Sequence, residues 1–283
     1  MRRSVQPVTI GRVVETVLLA GKFGNIDPND LVAELGVRQR RSLEILRMTE
    51  AFGFVSPTAS GRFILTQTGS QFIQLLQRRD YRGIHELMMA SPHYRELYRA
   101  ISDGSAPRSK EELLMELRDA EDVAFNAANL DVLCDWLERL GVVQRDVFDG
   151  RLYTVREHVE LRPRVILVAY QRLNHTENPL VRRTYVQIPR LREAVCRELG
   201  MKRADFDRAL VAIVRRNLGR VELSGAPIDT RAKKASRRVK ELRLFDEPHS
   251  LRPFLSSNPE LSGLRVNDRT YFYVAFHGRE FVG

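Results

Sequence analysis

The sequence predicts a mainly α-helical chain with small β-hairpin wings, organised as three units of one plan. Three observations predict it. Apolar residues recur at three- and four-residue spacing through most of the chain. Short apolar runs flanking a turn follow the helices at 53–69 and again at 142–155. Towards the end a strand-like run, GRVELSG, has a returning partner, RTYFYVAFHG, only after a long interruption.

The first unit spans 1–80. Its start is basic and then apolar, but Arg12 and Glu15 interrupt the apolar stretch, so an amphipathic helix is expected rather than a leader segment. Ile10, Val13, Val14, Val17 and Leu18 supply its buried stripe. Asp27 is placed to cap a second helix, with Pro28 at its first position and Gly36 at its end. A third helix follows, with Leu43, Leu46 and Phe52 expected on its inner side. GFVSPTASGRFILTQTG then reads as a hairpin around a Pro/Ser/Gly turn, and Phe72, Ile73, Leu75 and Leu76 mark a closing helix.

A connector over 81–108 reads as two helical pieces broken at Ser91-Pro92, then the linker SDGSAPRS. The second unit, 109–160, opens with Ser109 and Glu112 in capping-box spacing. Leu113, Leu114 and Leu117 line one helix. A longer one is expected from Glu121 to Leu140, carrying Phe125, Leu130, Leu133 and Leu137, with Trp136 in the core. Asp149-Gly150 marks a tight hairpin turn. The third unit, 161–283, repeats helix, helix, helix and strand, with an insertion over 225–268 before the returning strand. Its Glu198-Leu199-Gly200 echoes Glu34-Leu35-Gly36, and each is followed by basic residues.

The order helix, helix, tight turn, helix, hairpin resembles the winged helix-turn-helix superfamily. GRFILTQTGSQFIQLL is especially similar to the wing and following helix of many bacterial and archaeal members. The resemblance covers most of the chain and rests on pattern, so it implies a superfamily and no narrower family. It implies a third helix lying in the DNA major groove, with its first residues at base edges.

Charge agrees with that implication. The chain carries a net +10 with pI near 10.0, which points to an acidic partner such as nucleic acid. The charge is segregated, at +4 over 1–80, −6 over 81–160 and +12 over 161–283. In the first unit Arg38, Gln39, Arg40 and Arg41 open the third helix, with Arg47 one to two turns on. Arginine can grip guanine and glutamine can match adenine through paired hydrogen bonds. Positive charge opposes the helix dipole at that end, so an external reason is needed. Arg62, entering the second wing strand, is expected at a phosphate or in the minor groove. Lys202 and Arg203 are the corresponding candidates in the third unit. A plain solvated basic face is the competing reading.

The insertion contains RAKKASRRVKELRLF, with seven Lys/Arg and one acid between Arg231 and Arg243. Lys233, Lys234, Arg237, Arg238 and Lys240 are expected to contact phosphates. Ala232, Ala235, Val239 and Leu242 form an alanine-rich stripe that suits a structural strut as well, and suits a membrane surface poorly. In the middle unit Asp131, Asp135 and Glu138 would repel phosphate, so that unit is expected to act as a spacer, a self-association surface or a docking site for another protein.

No catalytic pattern emerges. The six histidines form neither HExxH nor a zinc spacing, and phosphate-loop, GxGxxG and GxSxG motifs are missing from the sequence. Asp205, Asp207 and Glu222 match no nuclease spacing. Cys134 and Cys196 sit among helix-core residues and are expected to be reduced packing residues in a cytoplasmic protein. No apolar run reaches the roughly 18–20 residues that span a bilayer. The expectation is therefore a non-enzymatic duplex-DNA binder without cofactor or metal, most simply a transcriptional regulator. The competing class is a non-catalytic subunit, or a bridge between proteins, in a DNA-processing or defence assembly.

Overall fold

The computed structural model describes residues 3–177, 185–225 and 263–277, apart from 105, 119, 121, 122 and 268. These form a mainly helical protein with small sheets, in two compact units divided between Val143 and Gln144.

The first unit begins with β1 (Arg3–Ser4), α1 (Ile10–Phe23), β2 (Asn25–Ile26), α2 (Pro28–Leu35) and α3 (Gln39–Ala51). It continues through β3 (Val55–Pro57), β4 (Phe63–Leu65), α4 (Gln67–Arg78), α5 (Tyr81–Met88), α6 (Pro92–Ser102), α7 (Lys110–Leu117), β5 (Val123–Ala124) and α8 (Ala127–Arg139). The helix signals act where the sequence places them. The Asp27 side chain accepts from the amides of Asn29 and Asp30, while the Asp30 carboxylate accepts from the Asp27 amide. Ser109 and Glu112 make the same reciprocal cap on α7. Pro92 opens α6 after the break at Ser91. Strands β2, β4 and β3 form one antiparallel sheet with β4 in the middle.

Two expectations fail here. Leu43 lies on the outside of α3 at 37% exposure, and the helix buries Ser42, Ile45, Leu46, Met48 and Thr49 instead. In the middle segment the helix expected from Glu121 to Leu140 is shorter, with residues 121 and 122 outside the described ones. Val123–Ala124 is a strand, and α8 begins after Asn126, whose side chain accepts from the Asn129 amide. Phe125 therefore precedes the helix and packs on His93, with 5.5 Å between ring centroids.

The middle helices share the core of the first unit. Trp136, fully buried, lies 4.9 Å from Phe52 between ring centroids, and Phe52 also meets the edge of Tyr94. The chain start is tied in as well, because β1 pairs in parallel with β5. The middle acids are largely used at home. Asp131 pairs with Lys110, and Asp135 with Arg139 at 2.8 Å.

The second unit takes in the hairpin of β6 (Val143–Arg145), apart from Val143, and β7 (Leu152–Thr154), which the sequence assigned to the middle domain. It continues with α9 (Pro163–Glu177), β8 (Val186–Gln187), α10 (Ile188–Leu199), α11 (Arg203–Arg216) and β9 (Val221–Ser224). After the insertion come β10 (Leu264–Val266), β11 (Arg269–Tyr271) and β12 (Tyr273–Phe276). Tyr153 of the hairpin belongs to the core formed by Ile166, Leu191, Val195, Cys196, Phe206 and Leu210. The expected return pairing is present, with Val221 opposite Phe276 and Ser224 opposite Tyr273. The returning run is split, however. Its first part, β11, turns back on β10 through Asn267 at φ 47°, and only β12 joins β9. The resulting strand order, β8-β12-β9, matches β2-β4-β3 of the first unit.

Candidate nucleic-acid interface

The turn between α2 and α3 is made by Gly36, which ends α2 in the left-handed conformation at φ 62°. Arg38 follows as an extended N-cap without a side-chain cap bond, and no acid lies in the first turn of α3. Inward-facing Ser42, Ile45, Leu46 and Thr49 fix the rotation of the helix. That rotation leaves Arg38, Gln39, Arg40, Leu43 and Arg47 exposed. Positions 40, 43 and 47 lie one above another on a helix, so two arginines flank a leucine along one outward stripe. The Arg40 side chain is 94% exposed and only grazes Glu44, with 3.4 Å from its Nε to Oε1.

Arg41 has a different task. Its Nη1 donates to Glu44 Oε2 at 2.8 Å and its Nη2 to the Pro7 carbonyl at 2.9 Å. The bond from Arg41 is the main reason the Glu44 carboxyl is held below its ordinary range. This guanidinium anchors the chain start to α3 and is less free than that of Arg40. Arg62 is likewise engaged within the fold. It donates to Asn25 Oδ1 at 2.6 Å, Asp27 Oδ2 at 3.2 Å and Asp30 Oδ2 at 2.9 Å, so it binds the wing strand to the capping box of α2.

In the second unit Gly200 ends α10 at φ 65°, and Lys202 is the exposed N-cap of α11. The match with the first unit runs in constant register. Gly36, Ser42, Leu46 and Thr49 correspond to Gly200, Phe206, Leu210 and Ile213, and every helical position in that set is buried. The outer stripe does not carry over. Where α3 has Arg40, Leu43 and Arg47, α11 has Ala204, Asp207 and Val211. Asp207 accepts from Arg192 Nε at 2.7 Å, and burial pushes its carboxyl up against the pull of that arginine.

No family model, curated protein or solved structure matches this chain. The assignment of a site therefore rests on the geometry of its own residues.

Arg203, expected at a phosphate, is the clearest correction. Its guanidinium grips both carboxylate oxygens of the buried Glu193 and donates to the Arg145 carbonyl. Glu193 also accepts from the Val147 amide at 3.4 Å, so one ion pair binds the β6–β7 hairpin to the start of α11. Nothing in the spacing of Glu193 and Arg203 could show this, because both look like exposed helix charges in the sequence. Lys233, Lys234, Arg237, Arg238 and Lys240 lie outside the described residues. Among the described residues no group of acids, histidines or cysteines is arranged to hold a metal ion, and no helix is long and apolar enough to cross a membrane.

Proposed function

We propose that the chain binds duplex DNA as a winged-helix protein, with α3 of the first unit as its base-reading helix. The order α1, β2, α2, α3, β3, β4 is the plan that docks such a helix in the major groove. The observation that carries the reading is the outward stripe of Arg40, Leu43 and Arg47, beside exposed Arg38 and Gln39. Among the described residues the engagement of that face within the fold is the Arg40–Glu44 pair, and the guanidiniums match guanine edges and phosphates. Leu43 between them would meet a thymine methyl.

The second unit repeats the plan with its outer stripe replaced, so it contributes backbone contacts in this reading. Lys202 and the insertion residues Lys233, Lys234, Arg237, Arg238 and Lys240 are assigned to phosphates, the latter five from the sequence alone. Transcriptional regulation in the cytoplasm is the role we infer, with the acidic middle segment setting the spacing of the two DNA contacts or serving as a surface for a protein partner or self-association.

The test is fluorescence anisotropy of the full chain against random duplex DNA and against its own promoter fragment, across a salt series. A steep salt dependence with tighter promoter binding is the expected result. A steep dependence without preference would move the protein to the backbone-binding subunits of a larger assembly. No binding at low salt would end the DNA reading.

A further inference from the structure

The most exposed large apolar side chain among the described residues is Leu218, at 81%. It stands at the tip of the turn joining α11 to β9, and its neighbours along the chain include exposed Arg215 and Arg220. No acidic residue occurs between Val214 and Val221. The turn is also firmly built. Asn217 is buried, and its Nδ2 donates to the Ile213 carbonyl at 2.9 Å. The amides of Arg220 and Val221 both donate to the Asn217 carbonyl at 3.0 Å, and the Arg220 carbonyl accepts from the His277 amide at 2.7 Å. Gly219 supplies the left-handed residue at φ 80°. An apolar side chain is thus held out into water on a hydrogen-bonded turn, with an exposed arginine on either side of it along the chain. The corresponding turn of the first unit is closed differently, with Phe52 buried against Tyr94 and Trp136.

We propose that the Asn217–Arg220 turn is a second duplex-DNA contact, in which Leu218 enters the minor groove as a wedge at a base step while Arg215 and Arg220 hold the flanking phosphates. Architectural DNA binders use apolar wedges with this cationic setting to unstack a step and bend the duplex. A preformed turn loses little freedom on binding, which suits a wedge. A single leucine offers too small an apolar face for an anionic lipid surface, where peripheral binding scales with buried apolar area. The inference rests on the DNA-binding reading of the first unit and adds a separate contact to it.

The experiment uses the full chain and end-labelled duplexes with 2-aminopurine at a TA or CA/TG step, the steps that deform most easily. Energy transfer between the ends reports bending, and 2-aminopurine emission reports unstacking. The parent is expected to raise the emission and shorten the end-to-end distance. Leu218→Ala should still bind but lose both signals. Arg215→Ser with Arg220→Ser should lower the salt slope by about 1 for each phosphate released. A Leu218→Ala protein that unstacks and bends the duplex like the parent overturns the wedge. If the parent binds duplex in an Arg40-dependent way and the wedge signals are missing, only the wedge falls. If the parent binds no duplex, the DNA reading falls with it. Leu218-dependent sedimentation with phosphatidylserine vesicles, without any change in the duplex signals, would assign the turn to a lipid surface and overturn the proposal.

Discussion

The indole Nε1 of Trp136 donates to the carbonyl of Val8 at 3.1 Å across 128 positions of sequence. The neighbouring Pro7 carbonyl is taken by Arg41. Two consecutive carbonyls of the chain start are therefore held by two different helices of the first unit, one by α8 and one by α3. Trp136→Phe keeps most of the apolar volume but leaves the buried Val8 carbonyl without its donor. A loss of about 1–3 kcal/mol is expected in urea unfolding, the usual result of orphaning a buried polar group.

Arg40 and Arg41 are adjacent and should behave as opposites. Arg40→Ala removes an exposed guanidinium and should leave stability nearly unchanged. In the proposed complex it should weaken specific binding by about 1–3 kcal/mol if the side chain makes a bidentate base contact. Arg41→Ala should instead lower thermal stability, since it releases Glu44 and the Pro7 carbonyl together. Parallel melting curves and anisotropy titrations on the two variants separate the roles. Equal effects of both variants on melting would contradict the assignment.

Arg203 gives a sharper stability test. Arg203→Met leaves Glu193 buried without its cation and should cost about 3–5 kcal/mol. Adding Glu193→Met should recover most of that loss, because the stranded charge is then gone. A double variant no better than Arg203→Met would mean that the hairpin needs the ion pair itself. Neither change should alter the salt slope of DNA binding if Arg203 makes no phosphate contact.

Acid should loosen the helices around His85. Its Nδ1 lies 2.9 Å from the Tyr94 hydroxyl, its ring packs on Tyr98, and it is buried. Burial, with Arg82 adding to it, holds its pKa below the ordinary value of 6.5. The unfolded chain thus takes up the proton first. Stability from this group is present above about pH 6.5 and is lost as pH falls through the lower folded value. Urea midpoints measured between pH 7.5 and 5 should fall, and His85→Gln should flatten the lower part of that profile. An unchanged profile in the variant would assign the acid sensitivity to other groups.

Local signals are legible in the sequence, and long-range ones are not. Asp27 with Pro28, Ser109 with Glu112 and the break at Ser91-Pro92 act within a few residues, where capping chemistry leaves a readable trace. Leu43 defeats the pattern because Ile45 and Met48 define the buried stripe of α3 as well as leucines do, and their phase turns Leu43 outward. The partners of Arg41, Arg62 and Arg203 are hidden for another reason. Pro7, Asn25 and Arg145 are brought to them by tertiary folding, so a guanidinium committed to the fold reads in one dimension like one free for DNA. The short strands β1, β5, β10 and β11 escape detection because two or three residues carry no period.

The grip of Trp136 on Val8 also sets a timetable for the growing chain. At translation rates of about 5–20 residues per second, Val8 has been made roughly 6–25 s before Trp136 appears. For most of that interval the first strand has no β5 to pair with, and throughout it Phe52 has no indole to cover it. Helix α3 is thus made early and locked late. A ribosome paused before residue 136 would display a nascent chain with an unsealed apolar seam, open to a chaperone or a protease.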